Sequence, residues 1–154
     1  MRPCRRAGKD YQNVENDTHG MRATDNEDPL LTRARSASAQ AYAPYSGVRV
    51  GAAVETGDGQ VYTGCNVENA SLGLTLCAER VALVAAIHAG HRSIARIAVV
   101  VAPGNDGRDI APVPCGACLQ FLAEFGAPQT PIVTATGPAR VLADFLPHPF
   151  RLDR

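Results

Sequence analysis

Aromatic residues are scarce in this chain, 5% of the total with no tryptophan, and its 15 basic and 15 acidic residues cancel to a formal net charge of zero. A surface with neither surplus positive charge nor interleaved aromatics is a poor match for a phosphate backbone or for unstacked bases, so no nucleic-acid partner is expected. Long apolar runs are missing as well. The longest, such as residues 81–87 and 97–102, fall well short of the roughly 18 residues that a membrane span needs. The basic start of the chain turns polar from Lys9 onward, so no secretory signal is expected either. There is no internal repeat. The expectation is a soluble, cytoplasmic protein with no membrane partner.

What is present suits one compact domain: 154 residues, 45% of them hydrophobic. Residues 1–27 are dominated by Arg, Asp, Asn, Glu and Gly with no apolar period, and are expected to form a disordered extension, with Met21 as an alternative start. Residues 28–154 then form the folded domain. Asp28 and Pro29 are an N-cap and first-turn pair, and Leu30, Leu31, Ala34, Ala37 and Ala41 keep helical spacing as far as Tyr42. Val48, Val50, Ala52 and Val54 alternate as a strand, and Gly57-Asp58-Gly59 turns the chain into a second strand over 60–66. A largely apolar helix over 75–89 follows, with Gly90 after it. A strand over 94–102, a loop from Pro103 to Pro114, a helix over 115–125, a strand over 131–135 and a last apolar piece over 141–146 complete the order. That alternation predicts a layered α/β domain with a mixed sheet.

Five cysteines make an odd set. Cys4 falls in the extension, and Cys65, in a strand-like stretch, reads as a small buried hydrophobe. In Pro114-Cys115-Gly116-Ala117-Cys118, two thiols stand three positions apart at a helix N-terminus, where they can share one tetrahedral metal. Alone, such a pair fits a redox site or a structural zinc equally well. Cys77 adds a third thiol from the head of the other apolar helix, and both helix N-termini favour thiolates. Structural zinc usually takes four protein ligands and catalytic zinc three. His19, His88, His91 and His148 all lie away from ligand spacing, so an open zinc is favoured unless Cys65 folds in as a fourth ligand.

Glu79 follows Cys77 by two positions. Beside a three-thiol zinc, its carboxylate is placed to take a proton from water and pass it to a substrate. Three thiolates and one Zn²⁺ sum to minus one, and Arg80 supplies an adjacent fixed cation that offsets the charge.

Cys77-Ala78-Glu79-Arg80 together with Pro114-Cys115-x-x-Cys118 resembles the zinc-dependent cytidine deaminase family, in which a glutamate that is not a ligand serves as the acid and base. The resemblance extends to Ala41-Tyr42-Ala43-Pro44-Tyr45-Ser46, to Val50-Gly51-Ala52-Ala53, to Gly64-Cys65-Asn66-Val67-Glu68-Asn69-Ala70 and to the segment from Leu146 to Phe150, about residues 30 to 150 in all, and points to the small homotetrameric type. It implies a three-layer α-β-α domain with a mixed five-stranded sheet. It also implies one Zn²⁺ per subunit on Cys77, Cys115 and Cys118, with Glu79 as proton shuttle. Asn66 and Glu68, two apart on one strand face, would hydrogen-bond the ribose, with Ala78 and Val48 also at the substrate. Gln120 would support the zinc site beside Arg80, and Phe150 would complete a neighbouring subunit's pocket. The implied reaction is hydrolytic deamination of cytidine and 2′-deoxycytidine to uridine and 2′-deoxyuridine, as in pyrimidine salvage.

Two positions depart from the family pattern. Val48 stands where relatives commonly carry phenylalanine, and Leu72 where a tyrosine is common, which predicts weaker stacking on the base and tolerance for cytosine nucleosides bulkier at N4 or C5. Two rival readings are a blasticidin S type deaminase, against which the retained Asn66-Val67-Glu68-Asn69 argues, and a non-catalytic zinc-stabilised interaction domain.

Overall fold

The computed structural model describes residues 27–102 and 112–152. The extension expected over 1–27, with Cys4 and His19, lies outside the described residues except for Glu27, as does most of the loop expected after Pro103.

Asp28 starts the first helix as its sequence suggests: its Oδ1 accepts the Leu30 N–H at 2.8 Å, and Pro29 fills the first helical position, where a missing N–H costs nothing. Helix α1 spans Pro29–Ser38 and stops four residues before the expected end at Tyr42. The apolar period does continue past Ser38, but the backbone of Tyr42 is engaged elsewhere. Its N–H donates to the Asn66 carbonyl at 3.0 Å, and its carbonyl accepts the Glu68 N–H at 2.8 Å.

Strands β1 (Val50–Thr56) and β2 (Val61–Cys65) form the expected hairpin, antiparallel from Gly51 opposite Cys65 to Glu55 opposite Val61. β3 (Ile94–Val101) lies antiparallel on the other side of β1, β4 (Pro131–Thr134) runs parallel to β3, and β5 (Arg140–Val141) closes the edge antiparallel to β4. The order β2-β1-β3-β4-β5 is a mixed five-stranded sheet, as anticipated. Helices α2 (Ala78–His88) and α3 (Gly116–Phe125) and the single turn α4 (Leu142–Phe145) complete the domain.

Strand alternation sorts the core into two layers. Ala53, Ala98 and Val100 pack with Leu30, Leu31 and Ala34 of α1 on one face. On the other, Ala52, Val54, Ile97 and Val99 pack with α2 and α3 through Ala82, Leu83, Ala86, Leu119 and Leu122. Each fully buried Leu or Ile here stabilises the fold by about 1.5–3 kcal/mol relative to exposure.

Two strand glycines set how closely the helices approach. A Cβ on Gly51 would sit 1.9 Å from the Ala34 carbonyl oxygen, and one on Gly64 would sit 2.5 Å from the Ala82 nitrogen and 2.7 Å from the Ala78 oxygen. Ala78, Ala82 and Ala86, one per turn and fully buried, complete the α2 side of that contact. The head of α2 is therefore fixed against β2 by small residues on both sides.

Candidate active site

Helix α2 begins three residues later than its apolar pattern suggests. Leu76 pairs its N–H and carbonyl with those of Val67, each at 2.9 Å, so the chain stays extended up to Cys77 and turns helical only at Ala78. Cys77 thus becomes the N-cap of α2. Cys115 is the N-cap of α3, and Cys118 lies in that helix's first turn. Caps are ordinarily Ser, Thr, Asp or Asn, whose oxygen satisfies a helix N–H. Neither cysteine makes such a bond, which leaves its sulfur available.

The three sulfurs converge. Sγ of Cys77 is 4.0 Å from that of Cys115, which is 3.5 Å from that of Cys118, and all three lie within 4.8 Å of one another. Four sulfur-type positions around zinc at about 2.3 Å would stand about 3.8 Å apart, so this donor set fits the ion. Among the described residues it is the one such cluster, and Cys65 is not part of it. Three thiols is the ligand count of a catalytic site, and the possibility of a fourth from Cys65 falls away.

The cluster's charge is managed locally. Hydrogen bonding from the Cys118 thiol, with Arg80 and Cys115 adding to it against the cost of burial, draws the Cys77 thiol down to about 5. The same pairing, with burial, pushes Cys118 up. One sulfur therefore ionises first and the other holds the proton. Arg80 Nη2 donates to the Thr75 carbonyl at 2.9 Å and lies 3.7 Å from Cys77 Sγ, which anchors the expected cation beside the metal ligand.

Glu79, the second residue of α2, is only 6% exposed. Burial pushes its carboxyl above the usual carboxylate range, and the Cys77 thiolate pushes in the same direction while Arg80 opposes. An acid with a raised pKa is better matched to proton transfer near neutrality. Ala78, fully buried, separates this carboxylate from Cys77.

The expected sugar-binding pair lies beyond the end of β2, on either side of Val67, whose partner Leu76 is next to Cys77. Asn66 is buried, and its carboxamide bridges two backbone groups: Oδ1 accepts the Val50 N–H at 2.7 Å, and Nδ2 donates to the Val48 carbonyl at 2.9 Å. Glu68 is half-buried. Its Oε2 accepts the N–H groups of Tyr45 at 2.8 Å and Ser46 at 3.3 Å, and its Oε1 accepts the Ser46 hydroxyl at 2.5 Å. The Ser46 hydroxyl, followed by these backbone donors, holds the Glu68 carboxyl below its usual range. Val48 is half-buried, and Leu72 sits 74% exposed in a short 3₁₀ turn, Leu72–Leu74.

Gln120 and Phe150 prove to be direct partners, which their sequence separation did not suggest. Gln120 Nε2 donates to the Phe150 carbonyl at 2.8 Å, and Gln120 Oε1 accepts the Phe150 N–H at 2.9 Å. Gln120 also lines, with Arg80, Phe121 and Glu124, a cavity of about 520 Å³. The side chain of Phe150 is left 69% exposed. Sequence reasoning missed Ser46, Tyr45 and the pairing of Tyr42 with the residues around Val67. Their sequence signal is the stretch Ala41 to Ser46, which carries part of the family resemblance but gives none of these residues a partner.

The described residues contain no helix long and apolar enough to cross a membrane. Residues 24–134 match the family described as the cytidine and deoxycytidylate deaminase zinc-binding region. The chain is 48% identical over 126 residues to a cytidine deaminase of Mycobacterium tuberculosis, covering 80% of this chain and 89% of that one. It is 47% identical over 103 residues to a cytidine deaminase of Halalkalibacterium halodurans, covering 67% and 74% of the two chains. In three dimensions it resembles the crystal structure of a cytidine deaminase from Burkholderia pseudomallei, with a TM-score of 0.69, 45% identity, and coverage of 79% of this chain and 96% of that one.

Proposed function

The chain belongs to the cytidine and deoxycytidylate deaminase zinc-binding family, and on that footing we propose how it removes the exocyclic amine of cytidine and 2′-deoxycytidine by hydrolysis. The products are uridine or 2′-deoxyuridine, and ammonia. The observation that carries this reading is the placement of buried Glu79 in the first turn of the helix that Cys77 caps, beside a cluster of three thiols.

Cys77, Cys115 and Cys118 would hold the zinc, which would supply the Lewis acid that makes a water molecule acidic near neutral pH. Glu79 does the proton work. Its carboxylate takes one proton as the water oxygen bonds to C4 of the pyrimidine and gives it to ring N3; it then takes the second proton from the new C4 hydroxyl and gives it to the amine, as the C4–N bond breaks and the C4 carbonyl forms. Arg80 keeps the anionic sulfurs in place through Cys77 and limits the negative charge against which Glu79 must ionise. Asn66 and Glu68 orient the nucleoside through its sugar, while Ala78 and Val48 lie along the base.

For assembly, the reading is a homotetramer whose active sites are shared, with Phe150 reaching a neighbouring subunit's pocket. Support comes from surface apolar residues that the fold gathers: Tyr42, Val67 and Leu76 are joined by backbone bridges and are 55%, 40% and 45% exposed, with Leu74 next to them at 66%. Exposed apolar residues gathered in this way suit contact with another subunit. Residues 28–154 form the catalytic domain, and the enzyme serves pyrimidine salvage in the cytoplasm, where reducing conditions keep the three thiols available to the metal. The test is release of ammonia from cytidine, 2′-deoxycytidine, cytosine and blasticidin S. The first two are expected to react, and reaction of blasticidin S alone would replace this reading with the rival one.

A further inference from the structure

We propose that Ser46 is a positioning residue for substrate binding, locking the one Glu68 oxygen that the backbone does not hold. The inference rests on the reading of Glu68 as a sugar-binding carboxylate.

The polarity of the network can be worked out bond by bond. The Val48 N–H donates to Ser46 Oγ at 3.0 Å, so that oxygen acts as an acceptor from Val48 and has its single proton left for Glu68 Oε1, 2.5 Å away. Glu68 Oε2 already takes two backbone N–H groups, from Tyr45 and Ser46. An ionised carboxylate offers about four lone-pair sites. Three are occupied, and the fourth is on Oε1. That last site can accept one donor, and one sugar hydroxyl supplies it.

Removing the Ser46 hydroxyl does not free Glu68 altogether. The two bonds at Oε2 and the Glu68 N–H to the Tyr42 carbonyl, at 2.8 Å, would remain. What is lost is the constraint on Oε1, so the carboxylate pivots about Oε2 and its free lone pair no longer meets the hydroxyl at a fixed angle. The Val48 N–H also loses its acceptor, but the Asn66 carboxamide keeps both of its own bonds, to the Val48 carbonyl and from the Val50 N–H. The larger consequence falls on binding through the sugar, and the proton shuttle is left alone. Cytidine and 2′-deoxycytidine share one ring hydroxyl, at the 3′ position, and 2′,3′-dideoxycytidine lacks it.

The experiment compares these three nucleosides on the full-length enzyme, with Ser46→Ala, Ser46→Cys and Ser46→Thr variants. Ser46→Ala should raise KM for cytidine and 2′-deoxycytidine about five- to tenfold, the weight of about one net hydrogen bond. Its kcat should stay within about twofold, and KM for 2′,3′-dideoxycytidine should not change. Ser46→Cys, close in size but a weak donor, should shift in the same direction, which keeps the test open if the alanine variant folds poorly. Ser46→Thr should restore the parent value. Unchanged KM for cytidine in both the alanine and cysteine variants, or an equal loss on all three nucleosides, would overturn the proposal. A Glu68→Gln variant separates the two levels: if it leaves cytidine KM unchanged, the reading of Glu68 itself fails, whereas a rise there without one at Ser46 defeats only the role of Ser46.

Discussion

The carboxamide of Gln120 holds the backbone of Phe150 at both of its polar atoms, 2.8 Å to the carbonyl and 2.9 Å from the N–H, across thirty residues of chain. This ties the C-terminal segment to the helix that carries Cys115 and Cys118, and it fixes where the exposed Phe150 begins. Two neutral hydrogen bonds are together worth about 1–3 kcal/mol.

Gln120→Ala should therefore release Phe150 without touching the thiols. The expected result is roughly a tenfold or greater fall in kcat/KM for cytidine with zinc content unchanged, measured by steady-state kinetics alongside metal analysis. Loss of zinc at the same time would assign Gln120 to the metal site instead.

Gly64→Ala should loosen the site from below. The new methyl group collides with the α2 backbone at Ala78 and Ala82, an overpacking that costs about 1–3 kcal/mol. Thermal melting should show a Tm lower by several degrees. Because that backbone leads directly from Cys77, the variant should also lose zinc to a chelator faster than the parent.

Metal removal should expose unequal thiols. With Cys77 drawn down to about 5 and Cys118 pushed up, the zinc-free protein should be alkylated at Cys77 first, already at pH 6, while Cys118 reacts slowly. Because the Cys77 pKa is lowered, its reactivity should persist as pH falls from 7 and disappear below about 5. Mass spectrometry of the labelled cysteines reads the order, and zinc should protect all three.

Val48→Phe bears on substrate range. Val48 is held by its own backbone bonds to Ser46 and Asn66, so the substitution changes the side chain against a fixed main chain. The parent should accept an N4-substituted cytidine in competition with cytidine, and the variant should discriminate against it about tenfold more strongly. A strong preference for plain cytidine that is the same in both would remove Val48 as a specificity determinant.

The chemistry was more legible in the sequence than the scaffold around it. Cys77, Cys115 and Cys118 stand out because they occupy short local spacings at helix starts, where the structure brings their sulfurs together, and Glu79 stands out because it follows Cys77 by two positions. The layers were legible for a similar reason, since Ala52 to Val54 and Ile97 to Val100 alternate between two buried faces. Tyr42 and Leu76 were not. Both have apolar neighbours that continue a helical period, yet each is held extended by backbone pairing with residues around Val67. A tertiary pairing of that kind overrides local periodicity and leaves no mark on residue type. Nor could spacing show that Asn66 and Glu68 grip the 45–50 segment, because most of the groups they bind are backbone groups, which every residue carries.

The proposed reaction depends on Glu79 acting as the proton shuttle while the thiols alone hold the metal. Glu79→Gln keeps nearly the same shape and removes the titrating oxygen. Ammonia release from cytidine should fall by about 10²–10⁴-fold or more, while zinc per chain and Tm stay at the parent values. Parent-like turnover in the variant would contradict the account, and so would a loss of zinc in step with the loss of activity.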